Sequence, residues 1–326
     1  MKRTALVTLI LALLLICGAG IGLALGPTRM TFSQLMQALG RHGSQAMQTL
    51  VWNLRAPRVA AALVVGACLG AAGHLLQSST RNPLGDPQLF GVGGGAAIVS
   101  ALSLTGAIRA ARWELYAIAV AASLVGAALI MLLASRRGLS PARMALIGVS
   151  ISALAAATAT GMLSAARVFG AQPLNFIGGS FANLGWNDVV PALPFVGLGI
   201  MLALPVLGNL GMLSLGDQVA ANMGAEPART RALAIAASGI LSGAGVAVGG
   251  LVGFIGLMSP HLARWMVGHD VRASFGISLL LGATLTLFAD QAARLVLMPR
   301  EVPVGLVSAL VGAPIMIYVA RRTTWS

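Results

Sequence analysis

Asp290 lies in an otherwise apolar run, four positions before Arg294, so one helix face carries both side chains. A carboxylate at membrane depth can bind a coupling ion or relay a proton, whereas beside a guanidinium it forms a local ion pair, and the pair is the expected state here. Metal chemistry has little to work with. His42, His74, His261 and His269 are scattered without a second ligand at helical spacing, and Cys17 and Cys68 each sit alone in an apolar run. His74 and His261 are expected to be packed and hydrogen-bonded, the cysteines to be small packing residues, and no metal or other cofactor is expected. Neither paired carboxylates nor a nucleophile with a neighbouring base can be found, which argues against an enzyme. Lys2 is the only lysine and G-x-x-x-x-G-K-[ST] is absent, so this chain should neither cradle nucleotide phosphates nor hydrolyse ATP.

The elements that would position these groups follow from composition. Of 326 residues, 57% are hydrophobic and 9% charged, too little charge for a water-facing surface. A hydrocarbon layer about 30 Å thick takes about 20 apolar residues in a helix. Runs such as Leu6–Leu15, Ala60–Leu69 and Ala117–Leu133 are apolar all round, without the alternation of a barrel strand. Splitting at charges, Pro and Gly predicts ten spans, near 4–25, 58–79, 89–106, 114–135, 142–165, 189–208, 231–250, 254–266, 273–296 and 303–320. The charge-free stretch 232–263 exceeds one bilayer thickness at 1.5 Å per residue and must break, most naturally within Gly243–Gly256. Its second part should be short and interrupted at Pro260. Met1-Lys2-Arg3 before apolar Thr4–Leu25 imitates a secretory signal, but the run outlasts the usual 7–15 residues, so an uncleaved span is expected. The chain reads as one membrane domain over 1–326, with its longest polar loop near 209–231.

An even number of spans puts both termini on one side. Lys2, Arg3, Arg321 and Arg322 flank them, and Arg136, Arg137, Arg143, Arg229, Arg231 and Arg272 fall on that side too, as a cytoplasmic face requires. The other face carries Arg29, Arg41, Arg55, Arg58, Arg109, Arg112, Arg167, Arg294 and Arg300, which snorkelling or an acidic docking partner would explain. The net charge of +13 is spread over loops on both faces rather than gathered in a stripe, against nucleic-acid binding.

Three stretches resemble the FecCD family, permease subunits of bacterial importers for iron chelates, haem and cobalamin. They are Gln77-Ser78-Ser79-Thr80-Arg81-Asn82-Pro83-Leu84-Gly85-Asp86-Pro87 running on to Gly93-Gly94-Gly95; Gly253-Phe254-Ile255-Gly256-Leu257-Met258-Ser259-Pro260-His261 with Gly268-His269-Asp270; and Ala289-Asp290-Gln291-Ala292-Ala293-Arg294 with Glu301-Val302-Pro303-Val304-Gly305 and Gly312-Ala313-Pro314. Gly178-Gly179-Ser180-Phe181 and Leu215-Gly216-Asp217-Gln218 extend the resemblance along nearly the whole chain.

The resemblance implies an all-α integral membrane protein with ten helices per subunit, of the type II ABC importer permease kind, working as a dimer, here expected to be a homodimer. It implies separate ATPase subunits docking on the 209–231 loop through Gly216, Asp217, Gln218, Gly224, Glu226 and Arg229. In that loop Asp217–Met223 can form a short amphipathic helix that Gly224 ends, and Glu226-Pro227 can start another. It implies a periplasmic or lipid-anchored substrate-binding protein gripped by Arg55, Arg58 and Arg294, and a cytoplasmic gate at Asn82, Leu84, Pro141 and Ala142, less polar than usual at the last two. The expected setting is the bacterial cytoplasmic (inner) membrane, multi-pass with both termini inside, and the expected substrate a metal chelate: ferric siderophore first, haem or cobalamin next. A self-sufficient channel or ion-coupled secondary transporter is the alternative, disfavoured by the scarcity of ionisable groups at membrane depth.

Overall fold

The computed structural model describes residues 2–26, 28, 30–88, 91–134, 141–166, 176–298 and 300–322, and among them every regular element is helical. In chain order these are α1 (Lys2–Ala24), α2 (Phe32–Leu39), α3 (Gln45–Thr80), α4 (Gly94–Leu104), α5 (Arg112–Ala134) and α6 (Pro141–Ala165). There follow α7 (Trp186–Leu213), α8 (Asp217–Asn222), α9 (Pro227–Gly249), α10 (Ile255–Val267), α11 (Val271–Leu295) and α12 (Val304–Arg322). The ten expected spans each have a helix; α2 and α8 are additional. Seven are long and apolar enough to cross a membrane, while α4, α10 and the apolar part of α12 are shorter.

Several boundaries differ from expectation. α3 begins thirteen residues before 58, because Ser44 caps a turn at Gln45 whose polar residues and Asn53 and Arg55 hide it from an apolar-run criterion. A six-residue π-helical stretch, Leu50–Arg55, then leads into the apolar part. The third span starts only at Gly94. The long run does break within Gly243–Gly256: α9 stops at Gly249, Gly250 turns with φ +71°, and α10 starts after Phe254 at φ +67°. Leu251 donates to the Phe176 carbonyl (3.1 Å) and Ser180 to the Gly249 carbonyl (3.1 Å), so the break is hydrogen-bonded by the 176–180 segment.

Pro260 does not interrupt α10, which runs through it. Proline has no N–H to offer the carbonyl four residues back, at Gly256. That carbonyl lies against α3 at Gly73, where a Cβ would sit 1.8 Å from the oxygen. The glycine therefore gives the proline-freed carbonyl its space.

Close approach also governs the centre of the bundle, where α3 and α11 cross antiparallel. A Cβ on Gly66 would lie 2.2 Å from the Gly282 carbonyl, one on Gly282 2.1 Å from the Gly66 carbonyl, and one on Gly70 2.2 Å from the Ser278 carbonyl. Each four-residue step along α3 meets a four-residue step back along α11. Lipid is as apolar as leucine, so helices in a membrane gain little by hiding side chains from it and more by such backbone contact. Around this seam Val65 and Leu69 pack with Val248, Ile255 and Leu287, and further along Cys68 and Leu75 pack with Leu210, Leu241 and Phe275. Cys68 is the packing residue expected, but Cys17 lies on the exposed face of α1.

Gly66→Ala is expected to lower the midpoint of thermal unfolding in detergent by an overpacking cost of about 1–3 kcal/mol or more. Gly197→Ala, whose Cβ would meet nothing within 4 Å, should leave it unchanged. Equal midpoints for the two variants would contradict a seam fixed by glycine.

Candidate functional site

Polar side chains gather at both ends of the α3–α11 pair. At the end where α3 enters the bundle, Arg58 is 9% exposed and Asp290 2%. Arg58 Nε and Nη2 donate to the Asp290 carboxylate (2.8–3.1 Å), and Nη1 donates to both oxygens of Glu301 (2.8 and 3.0 Å). Asp290 thus pairs across helices, 232 residues away in sequence, rather than with Arg294 one turn along its own helix as the spacing suggested. The i,i+4 rule describes isolated helices; here the α3–α11 register puts Arg58 directly opposite.

Arg294 and Arg55 are each 4% exposed and serve the end of α1. The last carbonyls of a helix have no partner within it. Arg294 Nη2 donates to Gly22 O (3.0 Å) and to Leu25 O, and Arg55 Nη1 donates to Leu23 O (2.7 Å) and Ala24 O (2.8 Å), with Nη2 on Thr28 O. Two guanidinia therefore occupy the C-terminal carbonyls of α1, where the helix dipole also favours positive charge. The three arginines expected to grip a binding protein are all engaged inside the chain. A cavity of about 290 Å³ opens between α4, α5 and α9, walled by Arg112, which pairs with Asp188 at 3.0 Å, and by Tyr116, Ser100 and Ser180.

The opposite end holds the remaining singled-out residues. α3 closes with Arg81 in a left-handed conformation (φ +50°), followed by buried Asn82, whose Oδ1 accepts from the Leu84 N–H (2.9 Å) in an Asx turn. Leu84 is 45% exposed. Pro141 and Ala142 open α6, and their side chains lie outside the described residues, as do Arg29, Arg136, Arg137 and Arg167.

α8 lies at this same end. Gly216 enters it at φ +117°; beyond Asn222, Gly224 adopts φ +88° while Ala225 N donates to Ala220 O (2.9 Å), a left-handed C-cap that glycine makes without strain. Pro227 then begins α9. Gln218, Glu226 and Arg229 are exposed, the last two 3.6 Å apart. Asp217 is not available in the same way. Its carboxylate accepts from Arg231 Nη1 and Nη2 (2.7 Å each) and from Arg81 Nη2 (2.5 Å), and Arg231 Nε donates to the Ser79 carbonyl (3.1 Å). The Arg231 hydrogen bond above all holds the Asp217 carboxyl below the ordinary aspartate range, against a smaller opposing effect of burial. Apolar side chains face outward around it: Leu215 is 63% exposed, Val219 45% and Met223 56%, at four-residue spacing.

His74 matches its expected packed state, its Nδ1 3.2 Å from Ser278 Oγ and its ring edge-on to Phe275. Sequence reading missed the α1 caps and the Arg81–Asp217–Arg231 cluster. The only signal for either was an arginine near a helix end, which does not say whose end it serves.

Replacing Arg58 by Leu is expected to cost about 3–5 kcal/mol by leaving Asp290 buried and uncompensated, and Arg58→Leu with Asp290→Leu should cost less than the single change. Thermal unfolding of the four members of that cycle in detergent checks this; additivity would count against coupling. For Asp217 the folded-state pKa is depressed, so its contribution is present above the unfolded value of about 3.9 and lost as pH falls through the folded one. Protease sensitivity of the 214–226 loop should therefore stay flat from pH 8 to pH 5 and rise only in stronger acid.

The comparisons with known proteins cover nearly the whole chain. Residues 9–322 match the model of the FecCD transport family. The Fe(3+)-citrate import system permease protein YfmD of Bacillus subtilis is 35% identical over 322 residues, covering 98% of this chain and 96% of that one. The ferric enterobactin transport system permease protein FepD of Escherichia coli is 37% identical over 324 residues, covering 96% and 94%. A chain from a structure described as an inward-facing, metal-chelate type ABC transporter superposes with a TM-score of 0.79 at 28% identity, covering 96% of this chain and 98% of its own. Matched over residues 9–322 and carrying seven helices long and apolar enough to cross a membrane, the chain is a multi-pass membrane permease and belongs to the FecCD transport family.

Proposed function

We propose that this chain is the permease subunit of an ATP-driven importer that moves an iron chelate inward across a bacterial cytoplasmic membrane. The observation that carries the proposal is the α8 surface: Leu215, Val219 and Met223 stand exposed on a polar loop. At this end α1 also begins, with Arg3 donating to the Trp265 carbonyl (3.2 Å), and α12, returning from the hairpin at 296–303, ends. Apolar side chains at that spacing suit a groove on a separate ATPase subunit, and both termini would then be cytoplasmic. ATP hydrolysis would belong to that subunit. The chain would act as one domain without a cofactor, and α6 and α12, with Leu146, Leu154, Leu306 and Leu310 exposed, offer apolar surface for lipid or a second copy in a homodimer.

An external binding protein would deliver substrate to the opposite end. Arg55, Arg58 and Arg294 are committed there to α1 and to Asp290, so the exposed guanidinia of Arg109 and Arg300 are better suited to an acidic partner. Asn82 and Leu84 remain the gate residues of the proposal. Ferric siderophore is the first substrate choice, in keeping with relatives named for ferric citrate and ferric enterobactin, ahead of haem and cobalamin.

A tagged chain is expected to retain ATPase subunits through purification, and Val219→Asp with Met223→Asp to abolish that retention. Proteoliposomes holding the assembled complex should take up a ferric siderophore only with ATP inside and the binding protein outside. Full-rate uptake without ATP, from a chain that retains no ATPase, would sink the reading.

A further inference from the structure

We infer that Asp217 is a positioning residue that ties α8 to the end of α3, so that a displacement of α8 is delivered to the Asn82–Leu84 turn. The inference rests on the reading of α8 as the surface that meets an ATPase, and goes beyond it by assigning Asp217 an internal role in place of a contact with that partner.

The geometry is short and continuous. Asp217 is the first residue of α8, and its two oxygens hold two guanidinia from separate places in the chain, Arg81 at the end of α3 and Arg231 in the first turns of α9. Arg231 is bidentate on Asp217, a form that fixes direction as well as distance. Through Nε it also occupies the Ser79 carbonyl, in the last turn of α3. Arg81 is one peptide bond from Asn82, and the Asn82 side chain holds the Leu84 amide at 2.9 Å. A carboxylate moving with α8 thus pulls on two rigid donors, both anchored where α3 ends.

Burial says why this is not mainly a stability device. The Asp217 side chain is 46% exposed and Arg81 38%, and ion pairs so open to water contribute little to folding. What they supply is a fixed distance between α8 and the end of α3, whose residues Asp217 and Arg81 are 136 apart in sequence. Gln218 and Val219, the neighbours of Asp217 on α8, are exposed, and buried Ala220 packs with Leu213 and Ala225. Coupling between two sites needs an element whose state both can bias, and this cluster is the described contact that joins α8 to the Asn82 turn.

The test uses the assembled complex of permease and ATPase subunits in proteoliposomes, with ferric citrate, ferric enterobactin, haem and cobalamin each offered with its binding protein. Asp217→Asn keeps the size and removes the charge. It is expected to co-purify with the ATPase as wild type does, while substrate moved per ATP hydrolysed falls about tenfold, inside the 5- to 150-fold span of ordinary coupling energies. Asp217→Glu should recover part of that ratio, which a loss of fold would not allow. Arg81→Gln leaves the Arg231 pair in place and should give an intermediate fall, so the inference stays testable if Asp217→Asn assembles poorly. An unchanged ratio in both variants overturns it. Loss of ATPase capture by Asp217→Asn, with capture by Val219→Asp and Met223→Asp intact, overturns it too and makes Asp217 a docking contact. Failure of the wild-type chain itself to capture any ATPase brings down the underlying reading of α8, a result distinct from either.

Discussion

Backbone contact between α3 and α11 is the constraint from which the rest of the molecule follows. With Gly66, Gly70 and Gly282 at the crossing, the helices approach until carbonyls occupy the space of absent methyl groups, and such contact admits one register. That register places Arg58 opposite Asp290 toward one end and His74 beside Ser278 toward the other. A slip of one residue would rotate Asp290 away from its guanidinium and leave a carboxylate unpaired at membrane depth, a costly state. Packing and electrostatics therefore select the same arrangement.

The two ends use the same pair of residue types in different ways. Around Arg58 the charges are shielded, and the pair is safe only because both partners are present. Around Asp217 they face water, where a pair is weak as a source of stability but definite as geometry. Arginine is suited to both: its planar fork can serve a carboxylate, a second carboxylate, or the open carbonyls of another helix, and in this chain it does all three.

Run length in hydrocarbon made the helical architecture readable without coordinates. Ten spans, the break inside 232–263 and the cap at Gly224 all follow from local rules about apolar length and backbone freedom. What could not be read is whatever depends on two distant segments meeting. Asp290 shows this most clearly: the local rule offered Arg294, and the fold supplied Arg58. The extension of α3 back to Gln45 was hidden because a helix may leave the apolar zone and still be helix. For the arginines at one end the resemblance supplied a partner outside the chain. Gly22, Leu23 and Ala24, whose carbonyls take two of them up, carry no mark in sequence that they need a donor.

The non-helical link between α9 and α10 has a bearing on how such a chain is made. It lies in a stretch, Ala232 to Ala263, that leaves the ribosome with no charged residue to mark where one crossing stops. The 176–180 segment, synthesised earlier, bonds its start, and Ser308 on α12, synthesised later, donates to the Gly253 carbonyl (2.8 Å). Irregular backbone is tolerated in a bilayer only where protein or water receives it. The link is therefore complete only once α12 has joined it, and α10 takes its place between α3, where Gly73 leaves room for the Gly256 carbonyl, and helices made after it.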